Sequence, residues 1–223
     1  MSRITPTPTR IAVLGAESTG KTRLVADLAG HLRARGKVVA VVGEVLREWC
    51  ERERRTPRAD EQLAIAQEQA LRVLQAGPVE IVIADTTPLM TAVYSELLFG
   101  DTSLYAFAWA HQRRYDLTLL TGLDLPWVAD GLQRDGPQVR EPVDALLRAA
   151  LDSASLSYQV VYGTGPARLD NAFFAINSIA NNARLSRATT RFDPESSAQW
   201  SWPCDKCSDP DCEHRLFTGL LRR

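Results

Sequence analysis

The chain has 223 residues, of which 45% are hydrophobic and 24% are charged, and its formal net charge at pH 7 is −1. This length can bury one α/β core, and the balanced charge argues against a general attraction to nucleic acid or to anionic membranes. No apolar stretch approaches the about 20 residues of a membrane span. Residues 1–9 are rich in Thr and Pro and are predicted to be a flexible lead-in without the apolar segment of a secretory signal, so we expect a cytoplasmic protein.

The first predicted strand leads into a glycine-containing loop. The strand covers residues 10–14, and the next eight residues, GAESTGKT at 15–22, match the phosphate-loop pattern G-x-x-x-x-G-K-[ST] in full. In such a loop the backbone N–H groups face phosphate oxygens, the lysine reaches the β- and γ-phosphates, and the final hydroxyl coordinates Mg²⁺. A glycine turn with an exposed lysine is the alternative, but the order strand, motif and helix favours an ATP site. Its predicted residues are Gly15, Glu17, Ser18, Thr19, Gly20, Lys21 and Thr22.

Apolar strands and amphipathic helices alternate along the remainder of the chain. Further strands are predicted at residues 37–42, 79–84, 115–120 and 158–162. Helices are predicted from the end of the loop to residue 36, from residue 44, and at 60–77, 88–99, 102–112, 141–152 and 167–183. This alternation is typical of a parallel sheet with helices on both faces. We therefore predict an α/β fold, with a P-loop NTPase domain at residues 10–184 and a small Cys/His-containing tail at residues 185–223.

Acidic residues follow two of the predicted strands. Glu44 comes just after the strand at 37–42, and Asp85 directly follows the strand at 79–84. The carboxyl ends of parallel strands form the edge at which open α/β sheets bind ligands. There Asp85 is expected to hold Mg²⁺ or orient the acceptor hydroxyl, Glu44 to accept the hydroxyl proton, and Arg47 to hold an anionic group. The alternatives are a helix cap at Asp85 and the acidic first turn of a solvated helix at Glu44.

Two arginines lie in a polar segment between the fourth strand and the next helix. Residues 131–141 combine Gly, Gln, Asp and Pro residues with Arg134 and Arg140. Such a composition suits a mobile flap that closes over the triphosphate and excludes water. The arginines of the flap would stabilise charge on the transferring phosphoryl group. The predicted catalytic residues are therefore Lys21, Glu44, Asp85, Arg134 and Arg140.

A cysteine-rich cluster lies in the polar tail. Cys204 and Cys207 have the C-x-x-C spacing with which two thiolates bind one ion, and Cys212 with His214 can complete a tetrahedral Cys₃His site. We therefore expect a structural Zn²⁺ there, since four protein ligands leave no position open for water. The alternative is a set of reduced cysteines on a disordered tail. Cys50 stands alone, so no disulfide framework is expected.

These motifs together resemble the ribosylnicotinamide kinase domain of the bifunctional NAD-biosynthesis regulator, over residues 10–180. The resemblance rests on the loop at 15–22, Glu44 with Arg47 and Glu48, the helix containing Gln67, Asp85 with Thr86, and DLPWVADG at 124–131. It implies a kinase-like AAA domain that transfers phosphate from ATP to the ribose hydroxyl of nicotinamide riboside. It also implies that Trp127 and Asp130 help to bind the substrate.

The chain departs from the pattern of that family at two positions. The family usually has Asp-Thr-Asp where this chain has Asp85, Thr86 and Thr87, and Gly-Leu-Arg where this chain has GLQR at 131–134. The first departure concerns the substrate or metal geometry. At the second, Arg134 can replace the arginine of the family from one position later.

The sequence is compatible with two classes of function. The first is an ATP-dependent small-molecule kinase that acts on nicotinamide riboside or a related nucleoside. The second is an ATP-binding regulatory switch or ATPase whose lid reports the nucleotide state to a partner. Phosphoryl transfer to a bound alcohol needs a closed pocket, a base and lid arginines. Because the chain offers candidates for each, the kinase is the favoured prediction.

Overall fold

A five-stranded parallel sheet forms the centre of the fold, with the strand order β2-β3-β1-β4-β5. The strands are β1 Thr9–Leu14, β2 Val39–Val42, β3 Ile81–Asp85, β4 Leu117–Thr121 and β5 Gln159–Val161. The structure is a computed structural model that describes residues 7–128 and 136–189, with side chains up to residue 177.

Helices join the strands in the alternating order that the sequence predicts. They are α1 Lys21–Ala34, α2 Val45–Glu53, α3 Ala59–Leu74, α4 Pro88–Phe99, α5 Tyr105–Gln112, α6 Arg140–Ser153 and α7 Gly165–Thr189. The predicted α/β fold with a parallel sheet is therefore confirmed. Residues up to Asn181 form one compact unit, and the chain from Asn182 onwards forms a second, of which the end of α7 is described.

Strand β1 is covered by helices on both faces of the sheet. Ile11 and Val13 pack among side chains of α1 and α7, whereas Ala12 and Leu14 pack among side chains of α4 and α6. Successive side chains of a strand point to opposite faces, so a strand that is apolar throughout needs cover on both. Each large aliphatic side chain buried in this way contributes about 1.5–3 kcal/mol. The loop that follows β1 therefore starts from a firmly held strand.

The strand register brings three loops to one edge of the sheet. Val13 of β1 pairs with Asp85 of β3, and Val42 of β2 pairs with Ala84. Strand β3, which ends at Asp85, therefore lies between β1 and β2. Neighbouring strands are about 4.8 Å apart. The loops that follow β1, β2 and β3 are therefore neighbours at the carboxyl edge.

The predicted strands at 37–42 and 79–84 both begin two residues too early, and the side chain of Glu80 binds the residues just before the observed start of β2. The carboxylate of Glu80 accepts hydrogen bonds from the Lys37 ammonium group and from the Val38 N–H, each at 2.9 Å. The Val38 N–H is therefore held by a side chain, whereas the Val38 carbonyl accepts from the backbone N–H groups of Glu80 and Ile81 at 3.0 and 3.2 Å. No helix within residues 7–128 and 136–189 combines the length and the hydropathy needed to cross a membrane.

Candidate active site

The loop at residues 15–22 connects β1 to α1 with a backbone conformation that its glycines allow. Gly15 and Gly20 have φ angles of 146° and 74°, which favour glycine. A Cβ atom on Gly15 would overlap Oγ1 of Thr121. Gly20 is the N-cap of α1, so the positive end of the helix dipole begins inside the loop. The loop therefore has the geometry that anion binding requires.

Two buried threonine hydroxyls hold the loop against the sheet. Thr19 Oγ1 donates to the Ala16 carbonyl at 2.7 Å and lies 2.7 Å from Oγ1 of Thr121, the last residue of β4. Thr121 Oγ1 in turn lies 3.1 Å from the Leu14 carbonyl that ends β1. Both threonines are fully buried. Because buried hydrogen bonds are costly to break, this network fixes the loop relative to β4.

Lys21 reaches back over the loop from the first position of α1. Its Nζ donates to the Ala16 carbonyl at 2.9 Å, and the residue is buried. An ammonium group that is removed from water gains most from a nearby anion. The lysine therefore holds its charge at the loop, where the phosphates of a nucleotide would neutralise it.

Asp85 ends β3 beside the loop and is only 3% exposed. Its Oδ1 is buried and has no hydrogen-bond partner among the described residues. A buried carboxylate oxygen without a partner costs free energy unless a cation or a hydroxyl group pairs with it. Oxygen ligands of this kind suit Mg²⁺. The environment of Asp85 therefore fits the predicted magnesium or acceptor role.

The helix after β3 is capped by Thr87, and not by Asp85. Thr87 Oγ1 accepts a hydrogen bond from the Leu89 N–H at 3.2 Å and donates to Oε1 of Gln112 at 2.7 Å. The N-cap interpretation of Asp85 is therefore wrong. Thr87, where the resembling family usually has aspartate, is buried in this capping network and is not available to a ligand.

Glu44 and Arg47 lie next to the end of the phosphate loop. Glu44 is the N-cap residue of α2, and its side chain is 12% exposed. Arg47 Nη2 forms an ion pair with Glu44 Oε2 at 2.9 Å, and Arg47 Nη1 donates to Oγ1 of Thr22 at 3.2 Å. Glu44 therefore does not lie on a solvated helix face. The Thr22 hydroxyl can accept twice, so it keeps a position for Mg²⁺.

Gln69 of α3 holds the peptide groups on both sides of Glu44. Its Oε1 accepts from the Val45 N–H at 2.8 Å, and its Nε2 donates to the Gly43 carbonyl at 3.1 Å. Gln69 is buried. The turn that carries Glu44 is therefore fixed from a second helix.

The segment after β4 packs against the phosphate loop. The Ser18 hydroxyl donates to the Val128 carbonyl at 3.0 Å and accepts from the Val128 N–H at 2.8 Å. Leu125 lies beside Gly20. Trp127 is half-buried, and its indole N–H is buried without a partner among the described residues. An indole donor of this kind can bind an acceptor atom of a substrate.

Arg140 differs from its predicted environment. The flap was predicted to continue to residue 141, but residues 137–139 form a 3₁₀ turn and Arg140 begins α6. That part of the prediction is wrong. Arg140 is buried, and its Nη1 and Nη2 donate to the carbonyls of Leu125 and Leu123 at 2.9 and 3.2 Å. Arg140 therefore holds the segment after β4 from the start of α6, and its side chain does not belong to a flap.

A cavity of about 250 Å³ adjoins the loop at Gly20. Residues of three segments line it, including Leu24 of α1, Leu125, and Gly165, Arg168 and Leu169 of α7. Apolar side chains and the backbone of glycines suit a flat aromatic ring. The cavity is therefore a candidate site for the base of a nucleotide whose phosphates lie in the loop.

Some predicted site residues lie outside the described residues. These are Asp130, Arg134, Cys204, Cys207, Cys212 and His214. Within residues 7–128 and 136–189, no group of three or more His, Cys, Asp and Glu side chains is arranged to hold a metal.

Sequence reasoning missed three residues that organise the site, namely Thr121, Gln69 and Arg168. The Arg168 guanidinium group donates to the Thr19 carbonyl of the phosphate loop. Thr121 follows an apolar strand, and a hydroxyl at such a strand end is a signal that could have indicated a role at the ligand edge. Gln69 is a polar residue on the apolar stripe of a helix, where a polar side chain usually has a specific partner. No local pattern distinguishes Arg168 from the other arginines.

Comparison with known proteins agrees with this architecture. The family model described as AAA domain matches residues 10–168. A search of curated proteins gives no match. A solved structure of a NadR protein in complex with NAD and AMP-PNP is similar, with a TM-score of 0.62 and 19% identity, over 86% of this chain and 52% of that one. A second solved structure, of a NadR protein in complex with NR, has a TM-score of 0.63 and 22% identity, over 77% of this chain and 50% of that one.

At these identities the solved structures show a common fold, and this chain spans about half the length of each of them. The family match covers most of the chain, including the phosphate loop, Asp85 and the start of α7. The chain therefore belongs to the AAA domain family.

Proposed function

We propose that this protein is an ATP-dependent small-molecule kinase that phosphorylates a ribose hydroxyl of nicotinamide riboside or a related nucleoside. The observation that carries the proposal is the buried carboxylate oxygen of Asp85, which has no hydrogen-bond partner in the described part of the chain and which strand pairing puts next to the phosphate loop. At the same edge, the turn after β2 carries a second largely buried carboxylate, that of Glu44. A site that only bound ATP would not need this second carboxylate. Such a pair suits a reaction between ATP and an alcohol.

In the proposed reaction, the acceptor hydroxyl attacks the γ-phosphorus of ATP and the bond to the β,γ-bridging oxygen breaks. ADP leaves, and Glu44 takes the proton of the hydroxyl. Lys21 pairs with the β- and γ-phosphates. Thr22 and Asp85 would hold Mg²⁺, which when bound neutralises charge on those phosphates.

Other residues have supporting roles in this proposal. Arg47 orients Glu44 and adds positive charge near Thr22. Trp127 and Asp130 bind the nucleoside, and Arg134 stabilises the transferring phosphoryl group. Arg140 is a positioning residue instead of a lid cation, because both of its terminal nitrogens are bound to carbonyl groups.

The fold comparison supports the ligands that the proposal names. One similar structure is a NadR protein with NAD and AMP-PNP, and the other is a NadR protein with NR. The motif resemblance at residues 15–22 and 124–131 points to the same chemistry. The switch alternative has no observation of its own in its favour.

The test is ATP turnover with a panel of nucleosides and a control without acceptor. We expect one phosphorylated nucleoside for each ADP formed, with little ATP consumed when the acceptor is absent. Asp85→Asn should lower kcat by about 100-fold or more, because the carboxylate that would hold Mg²⁺ against the phosphates loses its charge. The control Asp152→Asn, at the exposed end of α6, should not change kcat. ATP hydrolysis that does not depend on any acceptor would favour the switch.

The proposal includes two features of the chain that rest on sequence alone. The first is a structural Zn²⁺ bound by Cys204, Cys207, Cys212 and His214, which metal analysis of protein purified without added zinc would test. The second is a location in the cytoplasm, where ATP is available. The proposed partners are small molecules, without nucleic acid or membrane.

A further inference from the structure

Arg168 connects the phosphate loop to two other segments through one buried guanidinium group. The residue lies in the first turn of α7 and is 5% exposed. Its Nη2 donates to the Thr19 carbonyl at 2.7 Å, and its Nη1 donates to the Gly163 carbonyl at 2.9 Å. Nη1 also lies 3.5 Å from Oδ1 of Asp124. A single side chain thus holds together the loop and the segments that follow β4 and β5.

The contact with Thr19 determines how one peptide group of the loop is oriented. The described part of the chain has no cis peptide bonds. In a trans peptide the C=O of one residue and the N–H of the next point in opposite directions. When Arg168 holds the Thr19 carbonyl on one side, the N–H of Gly20 must point to the other. The hydrogen bond between Thr19 and Thr121 fixes the same residue through its side chain.

Within the described part of the protein, Arg168 forms an ion pair with one carboxylate, and the two groups are not in close contact. Asp124 is its ion-pair partner at 3.5 Å, and the Asp124 carboxylate also accepts from the Gly163 N–H at 2.6 Å. Burial lowers the pKa of the guanidinium group, and the charge of Asp124 opposes this shift. A triphosphate in the adjacent loop would add the negative charge that a buried cation favours.

We propose that Arg168 is a positioning residue of the phosphate loop, which it keeps ready to bind the triphosphate by orienting the Thr19–Gly20 peptide. The inference depends on the proposed function only because it takes residues 15–22 as the triphosphate site. Arg168 also lines the cavity proposed for the base. The experiment must therefore separate an effect on phosphate binding from an effect on base binding.

The test compares the dissociation constants of ATP, inorganic tripolyphosphate and adenosine, measured by calorimetry without an acceptor. Arg168→Met keeps the length of the side chain and removes its charge and its donors. We expect this variant to bind both ATP and tripolyphosphate about tenfold or more weakly, because the Thr19–Gly20 peptide loses the hydrogen bond that orients it toward the phosphates. Adenosine affinity should change by less than about threefold. Arg168→Lys, which keeps the charge, should give an intermediate loss for ATP and tripolyphosphate.

The matched control is Arg148→Met. Arg148 is a partly buried arginine on α6 that pairs with Asp144 of the same helix. It should leave all three affinities unchanged. If Arg168→Met fails to fold, the comparison is made with Arg168→Lys, provided that the thermal stability of this variant is near that of the wild type.

Three results would overturn the inference, two of them from Arg168→Met and one from the wild type. Unchanged tripolyphosphate affinity with weaker ATP binding would mean that Arg168 acts on the base. Unchanged affinity for both would mean that it has no role in binding. Wild-type protein that binds tripolyphosphate but phosphorylates no nucleoside would remove the kinase proposal and leave this inference standing. Wild-type protein that binds neither ATP nor tripolyphosphate would remove both.

Discussion

The hydrogen atom that Gly15 carries in place of a side chain decides how closely β4 can approach the phosphate loop. Thr121 Oγ1 occupies the space that a Cβ would need, and the φ angle of Gly15 is 146°. Thr121 cannot turn away without breaking its contacts with Thr19 and the Leu14 carbonyl. At the scale of the residue, the requirement for glycine is therefore both conformational and steric.

Gly15→Ala should destabilise the protein by about 1–3 kcal/mol and abolish measurable ATP binding at concentrations that saturate the wild type. Denaturant unfolding and calorimetry would measure the two effects. Gly30→Ala is the matched control, because Gly30 lies inside α1 with no atom near the site of its Cβ. That change should stabilise the helix by about 0.5–1 kcal/mol. Normal ATP affinity in Gly15→Ala would contradict the steric argument.

At the scale of the element, α3 supports the site without contributing a predicted catalytic group. Gln69 holds the turn that carries Glu44. At the start of the helix, Glu61 forms a capping box with Arg58 and pairs with Arg55 through both carboxylate oxygens, at 2.6 and 2.7 Å. The fixed N-terminus of α3 and its buried glutamine together determine where the loop after β2 lies.

Gln69→Leu should lower kcat for phosphoryl transfer, because Glu44 loses its fixed position, and should leave the KM for ATP nearly unchanged. The free energy of unfolding should fall by about 1–3 kcal/mol, since the buried Val45 N–H is left without its acceptor. Steady-state kinetics and denaturant unfolding measure both. Gln67→Leu, at an exposed position on the same helix, should change neither. A kcat equal to that of the wild type in Gln69→Leu would refute the positioning role.

The pairing of Glu61 also predicts a pH dependence of stability. Hydrogen bonds from Arg55 and from the Arg58 N–H lower the pKa of Glu61 from 4.5 to about 2. The contribution of the ionised carboxylate to stability is therefore complete above about pH 4.5 and is lost as the pH falls toward 2. Urea unfolding across this range should show a weaker pH dependence for Glu61→Gln than for the wild type. Identical pH profiles would show that Glu61 contributes nothing to acid stability.

At the scale of the whole molecule, the site exists only when the sheet is complete. Its residues lie between Gly15 and Arg168, and they meet because β1 lies between β3 and β4 at the centre of the strand order. A ligand that binds this edge binds the folded chain and not the unfolded one. Ligand binding must therefore raise the thermal stability of the entire unit.

ATP with Mg²⁺ at about 100 times its dissociation constant should stabilise the folded protein by about 2.7 kcal/mol. This corresponds to an increase in Tm of about 5–10 °C for a domain of this size. Lys21→Ala should abolish the increase, because the loop loses its cation, whereas Lys37→Ala, at an exposed ion pair with Glu80, should keep it. Differential scanning fluorimetry measures both. An undiminished increase in Lys21→Ala would exclude the loop as the phosphate site.

The sequence by itself determined the elements that depend on neighbouring residues. The phosphate loop, the apolar strands and the amphipathic helices are local patterns, because backbone conformation and the alternation of buried side chains repeat within a few residues. Glu44 and Asp85 could also be predicted to lie at the ligand edge, since the carboxyl ends of all strands in a parallel sheet lie at the same edge.

Only the tertiary structure decided how these elements are held together. Thr19 contacts Thr121 across 102 residues and Arg168 across 149 residues. The direction of Arg140 toward the segment after β4 was likewise not predictable. These hydrogen bonds depend on strand order and on the distance between packed helices, which no periodicity along the chain encodes. The chemistry of the candidate site was therefore predictable from local sequence, whereas the side chains that hold it in position became visible only once the sheet had brought distant segments into contact.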